Sequence, residues 1–168
     1  MFELKSEGIL QGWIDREYGI HSEDQEWGIP GRSFPLRWQG EPEGTKSFAI
    51  TFLDYDNIED EGVMWVHWIA AGIPPHVHEL EVDASRQASW LIQGKNSWSI
   101  GIGPYEGIPE KYTVGYGGPA PSRKHEYEIT LYALDWMPDV GHGFYYNQLR
   151  KMIEKHGLAS ARIRAFNE

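Results

Sequence analysis

Two carboxylates, two imidazoles and a phenol fall where this sequence otherwise places apolar side chains. In Ser47–Asp56, SFAITFLDYD, strand alternation puts Phe48, Ile50 and Phe52 on one face, and Asp54 and Asp56 continue it. His67 lies between Trp65 and Ile69 in Met64–Ala71, MWVHWIAA. His125 and Tyr127 precede Ile129 and Leu131 on a third such face. Buried carboxylates and imidazoles are costly unless paired, so convergence on one cavity accounts for all of them economically. Such a cavity serves a binding module, which needs only convergent polar groups, or a hydrolase, which also needs a nucleophile or a metal. On the pattern alone, the plainer reading is a satisfied core histidine at 67 and a turn former at 54.

The chain contains no cysteine and no Gly-x-Ser-x-Gly elbow, which removes the commonest nucleophile signatures. Its one metal-like pattern is PPHVHELEVD, Pro74–Asp83, where His76, His78 and Asp83 resemble the ligand spacing of cupin-type metal enzymes. That pattern follows two prolines instead of opening within a strand, and no second half accompanies it. The expectation is therefore no metal, no cofactor and no enzymatic activity. A cupin-like metal-dependent enzyme, or another hydrolase using the same cleft, stands as the alternative. The glycines of GIGPYEGIPEKYTVGYGG do not link a strand to a helix and read as turn glycines.

The elements that must position these groups are mostly strands. Eight Trp, nine Tyr, 19 Gly and ten Pro in 168 residues favour pleated surfaces joined by many turns. Besides the two strands above, Glu126–Asp135 alternates, with Tyr127, Ile129, Leu131 and Ala133 on one side and Glu126, Glu128 and Thr130 on the other. Residues 93–121 are too rich in Gly and Pro for long regular structure, and long irregular loops are usually functional. Phe144–Gly157 has helical spacing through Tyr145, Leu149, Met152 and His156, with Gly157 as a candidate C-cap. Leu158–Phe166 alternates again and sends Arg162 and Arg164 outward. The whole predicts one domain over residues 1–168. It is a mostly β, antiparallel two-sheet sandwich with long Gly/Pro-rich loops and a C-terminal helix followed by a short strand.

Fifteen Lys and Arg stand against 25 Asp and Glu, a formal charge of −10. That field repels phosphate backbones and anionic lipid surfaces, which argues against nucleic-acid binding. No apolar run approaches the ~18 residues of a membrane span, and the first residues carry no signal-peptide pattern. A cytoplasmic location is the expectation.

Two longer stretches resemble a known family. DYDNIEDEGVMWVHW pairs an Asp-x-Asp with a later Trp-x-His strand, and GYGGPAPSRKHEYEITLYALD joins a Gly-Pro loop to His-x-Tyr and an apolar strand. Both resemble the signatures of the phosphatidylethanolamine-binding protein family, in its bacterial Raf-kinase-inhibitor-like branch. The resemblance implies an antiparallel sandwich with a small pocket for a phosphate-type anion or phosphorylated ligand. Carried over by position, the pocket would use Asp54, Asp56, His67, Gly118, Pro119, His125 and Tyr127. The resemblance also implies a homodimer and a regulatory protein partner, a kinase or a protease. Three departures stand out. Asp54-Tyr55-Asp56-Asn57-Ile58 replaces Asp-Pro-Asp-Ala-Pro, the Gly118–His125 segment is short, and His125-Glu126-Tyr127 replaces His-Arg-Tyr. The last removes a cation beside the expected pocket.

If the pocket holds such an anion, His67 and His125 are expected to be its titratable donors. Unperturbed imidazoles titrate near ~6.5, and neighbouring carboxylates favour the charged form. Binding is then expected to tighten as pH falls from ~8 to ~6, and His125→Ala to abolish that dependence.

Overall fold

The structure is a computed structural model that describes residues 1–168. The strands in chain order are β1 (Glu3–Lys5), β2 (Ile9–Leu10), β3 (Trp13–Ile14), β4 (Gln25–Glu26), β5 (Ile29–Pro30), β6 (Leu36–Gln39), β7 (Ser47–Asp54), β8 (Trp65–Ile73), β9 (Glu79–Leu80), β10 (Ile92–Gln93), β11 (His125–Leu134) and β12 (Gly157–Asn167). Four helices intervene: α1 (Asn57–Glu61), α2 (Ala84–Gln87), α3 (Glu110–Thr113) and α4 (Tyr146–His156). A seven-stranded sheet runs β10-β8-β7-β11-β12-β3-β2, a three-stranded sheet runs β1-β6-β9, and β4 pairs with β5.

The central strands β7 and β8 are largely buried on both faces because both faces of the large sheet are covered there, while β11 keeps Glu126 and Glu128 on its outer face. Phe48, Ile50, Phe52, Trp68, Ile129 and Leu131 pack with Leu36 and Trp38 of the small sheet, forming the main core. Ala49, Leu53, Ile69, Ala71 and Leu134 face the other way and pack with Leu149 of α4. All eight residues of β7 are buried. No helix is long and apolar enough to cross a membrane.

Three details depart from expectation. The sheets are antiparallel except at Phe166, which pairs in parallel with Trp13. The final strand is not short: its 11 residues make it longer than any other, since it pairs along β11 from His125↔Asn167 to Leu134↔Gly157. Gly157 is no left-handed cap; with φ −69° and ψ 123° it is extended and already begins β12. The helix therefore turns directly into the strand. Arg162 and Arg164 do point outward, where they pair with Glu128 and Glu126.

A bulge in β8 sets which side chains reach the polar end of the main core. Phe52 pairs with Trp68 and Leu53 with Val66, so His67 has no partner opposite it. One extra residue reverses the alternation. As a result, His67 and the adjacent Trp68 both reach the main-core side, while Ile69 faces α4. The expected shared face of His67 and Ile69 is thus overturned.

Candidate functional site

Tyr127 of β11 pairs directly with Asp54, the last residue of β7, which sets their side chains together at one end of the main core. His125 opens β11, two residues before. Its Nδ1 lies 2.7 Å from Asp54 Oδ2, and both side chains are almost fully buried. Asp54 Oδ1 also accepts the N–H of Asn57 at 3.1 Å, which anchors the start of α1. That helix carries Asp60 back over the ring, so that Asp60 Oδ2 is 2.7 Å from His125 Nε2. A carboxylate oxygen thus lies within hydrogen-bond distance of each ring nitrogen of His125.

Asp60 is also held by a cation. Arg123 donates from Nε to Asp60 Oδ1 at 2.9 Å and from Nη2 to Glu59 Oε2 and to the carbonyl of Asp56. The Arg123 hydrogen bond, assisted by that from His125, holds the Asp60 carboxyl below the usual carboxylate range.

His67 behaves differently. Its carbonyl accepts the Gly117 N–H at 2.8 Å, and its Nδ1 donates to the Gly117 carbonyl at 2.6 Å. That bond sets the tautomer and leaves Nε2 as a buried lone pair with no partner. Burial pushes the His67 pKa down to about 4. His67 is therefore a neutral acceptor at ordinary pH, which corrects its expected role as a titratable donor. Burial, with Asp54 alongside, pushes the Tyr127 phenol far above its ordinary range, so it stays a neutral hydroxyl. Its ring is wedged among those of Phe52, His67 and His125.

These groups form one end of a cavity of about 150 Å³. Asp54, His67, His125 and Tyr127 line it together; Trp65, Trp98 and Tyr105 line it too, as do Asp60, Glu61 and Ser122. The volume lies below the ~300–1,000 Å³ of drug-sized sites, so it suits a small head group. The indole N–H of Trp65 is, like His67 Nε2, buried without a partner. A larger cleft of about 540 Å³ lies near Leu4, Pro35 and Ile163. Its charged residues are exposed and already paired, as Arg37 is with Glu7 and Glu79, so it offers no comparable convergence of buried polar groups.

Three expected ligand residues are elsewhere. Asp56 accepts the backbone N–H of Glu126 at 2.8 Å and so ties the β7–α1 corner to β11. Gly118 and Pro119 are buried but do not line the cavity; Ala120, Pro121 and Ser122 do. Gly118 instead allows close packing. Its N–H donates to the Pro30 carbonyl, and a Cβ there would lie 2.6 Å from the Tyr18 carbonyl and 2.8 Å from Pro30 Cβ. Gly118→Ala is expected to cost at least ~1 kcal/mol by overpacking, read as a lower urea midpoint at unchanged slope. An unchanged midpoint would mean the loop gives way freely.

The histidine pattern of Pro74–Asp83 does not assemble. His78 pairs with Glu41 at 2.8 Å, and Asp83 is held by Arg86 at 2.6 Å. No group of three or more His, Asp or Glu is placed to hold a metal ion. Ser122 lines the main cavity, but the His125 nitrogen that would activate a hydroxyl is engaged by Asp60.

The sequence pattern of the phosphatidylethanolamine-binding protein family matches residues 5–167. The chain belongs to that family. A Bacillus subtilis member, the uncharacterized protein YxkA, is 40% identical over 139 residues, 81% of each chain. The crystal structure of Escherichia coli YbcL superposes with a TM-score of 0.77 at 28% identity, covering 99% of this chain and 98% of that one. A Chlamydia trachomatis homologue gives 0.75 at 27%, covering 99% and 97%.

As a phosphatidylethanolamine-binding protein family member, the chain uses its departures from the motif in specific ways. At Ile58, in place of proline, the backbone N–H donates to the Tyr55 carbonyl at 3.1 Å and closes the first turn of α1. Proline has no such donor. Glu126, in place of arginine, points away from the cavity and faces Arg164. The expected loss of a cation beside the pocket is therefore not a loss at the pocket wall, and Arg123 pairs with the lining residue Asp60. Pattern reading does not single out Asp60 and Glu61, and Trp98 and Tyr105 lie in the irregular stretch 93–121, which it marks only as a whole.

Proposed function

We propose that this protein is a binding module whose cavity takes a small phosphate-type anion, such as a phosphomonoester head group, without covalent chemistry. One observation carries the reading: the nitrogen of His125 that faces the cavity already holds an anionic oxygen, that of Asp60. A carboxylate oxygen there stands in for a phosphate oxygen, since both accept the same charge-assisted hydrogen bond. The unpartnered Trp65 N–H suits a second ligand oxygen, and the His67 lone pair suits a ligand hydroxyl.

The expected affinity is weak, near ~1 mM or about −4 kcal/mol, because the rim is acidic. Calorimetric titration with inorganic phosphate, O-phosphoethanolamine and ethanolamine tests the reading. The first two are expected to bind and ethanolamine is not, and His125→Gln is expected to weaken both by about tenfold, one lost charge-assisted bond. Binding of ethanolamine alone, or equal phosphate binding by His125→Gln, would refute it.

A further inference from the structure

We infer that Asp60 is a built-in competitor for the cavity's ligand: α1 must withdraw the Asp60 carboxylate from His125 before an anion can bind there. The inference rests on the anion-binding reading above and adds what controls that site. His125 has only one nitrogen to offer, because Nδ1 is held by the buried Asp54. Asp60 Oδ2 takes the other at 2.7 Å, and a second anion at that position would meet the carboxylate at van der Waals distance or closer. The site is thus filled by the protein's own chain.

The element that carries Asp60 is built to leave. α1 is five residues long and buries none of them. It ends at Gly62 with φ 78°, a position glycine adopts without strain. What holds it is polar: Asp54 accepts the Asn57 N–H at its start, and the Tyr105 hydroxyl donates to Glu61 at its end. Arg123 holds Asp60 and Glu59 from outside, and surface ion pairs of that kind are weak. Arg123 also faces the position that Asp60 would vacate, so one cation serves the closed state through Asp60 and is free to meet the ligand in the open one. Apparent affinity is then the intrinsic affinity scaled by the fraction of molecules with α1 withdrawn.

The test compares phosphate binding by the wild-type chain, Asp60→Ala, Asp60→Asn and Glu59→Gln, followed by amide shifts in NMR titrations. Glu59→Gln removes a charge from the same helix and the same arginine without touching His125. Asp60→Ala is expected to bind phosphate at least about tenfold more tightly than wild type, and Glu59→Gln within about twofold of it. Asp60→Asn, neutral but still able to accept from His125, is expected to fall between. In the wild type, phosphate is expected to speed hydrogen exchange at the α1 amides of Ile58, Glu59 and Gly62. Equal binding by wild type and Asp60→Ala would end the competitor idea while leaving the anion site standing. Equal gains in Asp60→Ala and Glu59→Gln would end it as well, since net charge would then explain both. No binding by either wild type or Asp60→Ala would overturn the anion site and the competitor together.

Discussion

Asp54→Ala is expected to lower stability by about 3 kcal/mol, roughly 10 °C in Tm for a domain of this size. The cost arises because Asp54 and His125 are both almost fully buried and 2.7 Å apart. Removing one partner leaves an imidazole whose Nδ1 can reach neither water nor another acceptor. The Asn57 N–H loses its acceptor too, and α1 its anchor. Asp60 makes the comparison sharp, because it bonds the same ring at the same distance from a more exposed position. Exposed pairs contribute at most ~1 kcal/mol, so Asp60→Ala is expected to leave Tm nearly unchanged. Thermal melts of the two variants decide the matter. Similar losses in both, or none in Asp54→Ala, would mean that the buried pair does not stabilise the fold.

The second large effect is a loss of stability in mild acid, traced to His67. Burial lowers its pKa in the folded chain from 6.5 to about 4. Between those values the unfolded chain binds a proton that the folded chain refuses. Stability from this group is therefore fully present above pH ~6.5 and is lost as pH falls toward ~4. The total is about 3 kcal/mol, of which about 2 kcal/mol falls between pH 7 and pH 5. His67→Gln, which has no proton to take up, is expected to lack that part of the slope. Urea unfolding of wild type and His67→Gln at the two pH values measures it as a difference of differences. Parallel losses in the two proteins would show that His67 is not held neutral by burial. The same burial bears on binding. His67 can offer an anion only a lone pair over that range.

Particular residues show how far pattern reading reaches. Asp54, His125 and Tyr127 are legible as site residues because strand alternation is a local rule, and β7 and β11 obey it without interruption. The same rule picks out His67, but for a reason the structure replaces. It reaches the cavity because a bulge inserts one residue, and nothing in Trp65-Val66-His67-Trp68 announces that bulge. Asp56 continues the parity of Asp54, yet the strand stops at 54 and the chain turns into α1. The parity then no longer applies. Glu126 reads as damaging to the pocket only while its outward direction is unknown.

Composition, alternation and two motifs thus determined the fold class, the three strands of the site and four of the polar groups that line its cavity. Asp54, His125 and Tyr127 follow from periodicity along one stretch of chain; His67 is picked out by the same rule but reaches the cavity through the bulge. Tertiary structure alone decided the protonation and occupancy of those groups, because both depend on neighbours distant in sequence. His67 is neutral because burial makes it so, against the opposing pull of the Gly117 carbonyl 50 residues away. His125 is capped because Asp60, 65 residues away, reaches it through a helix that no local pattern links to the site. A charge on a solvated run looks the same in sequence whether it faces water or fills a binding site, and only its position relative to a buried ring separates the two.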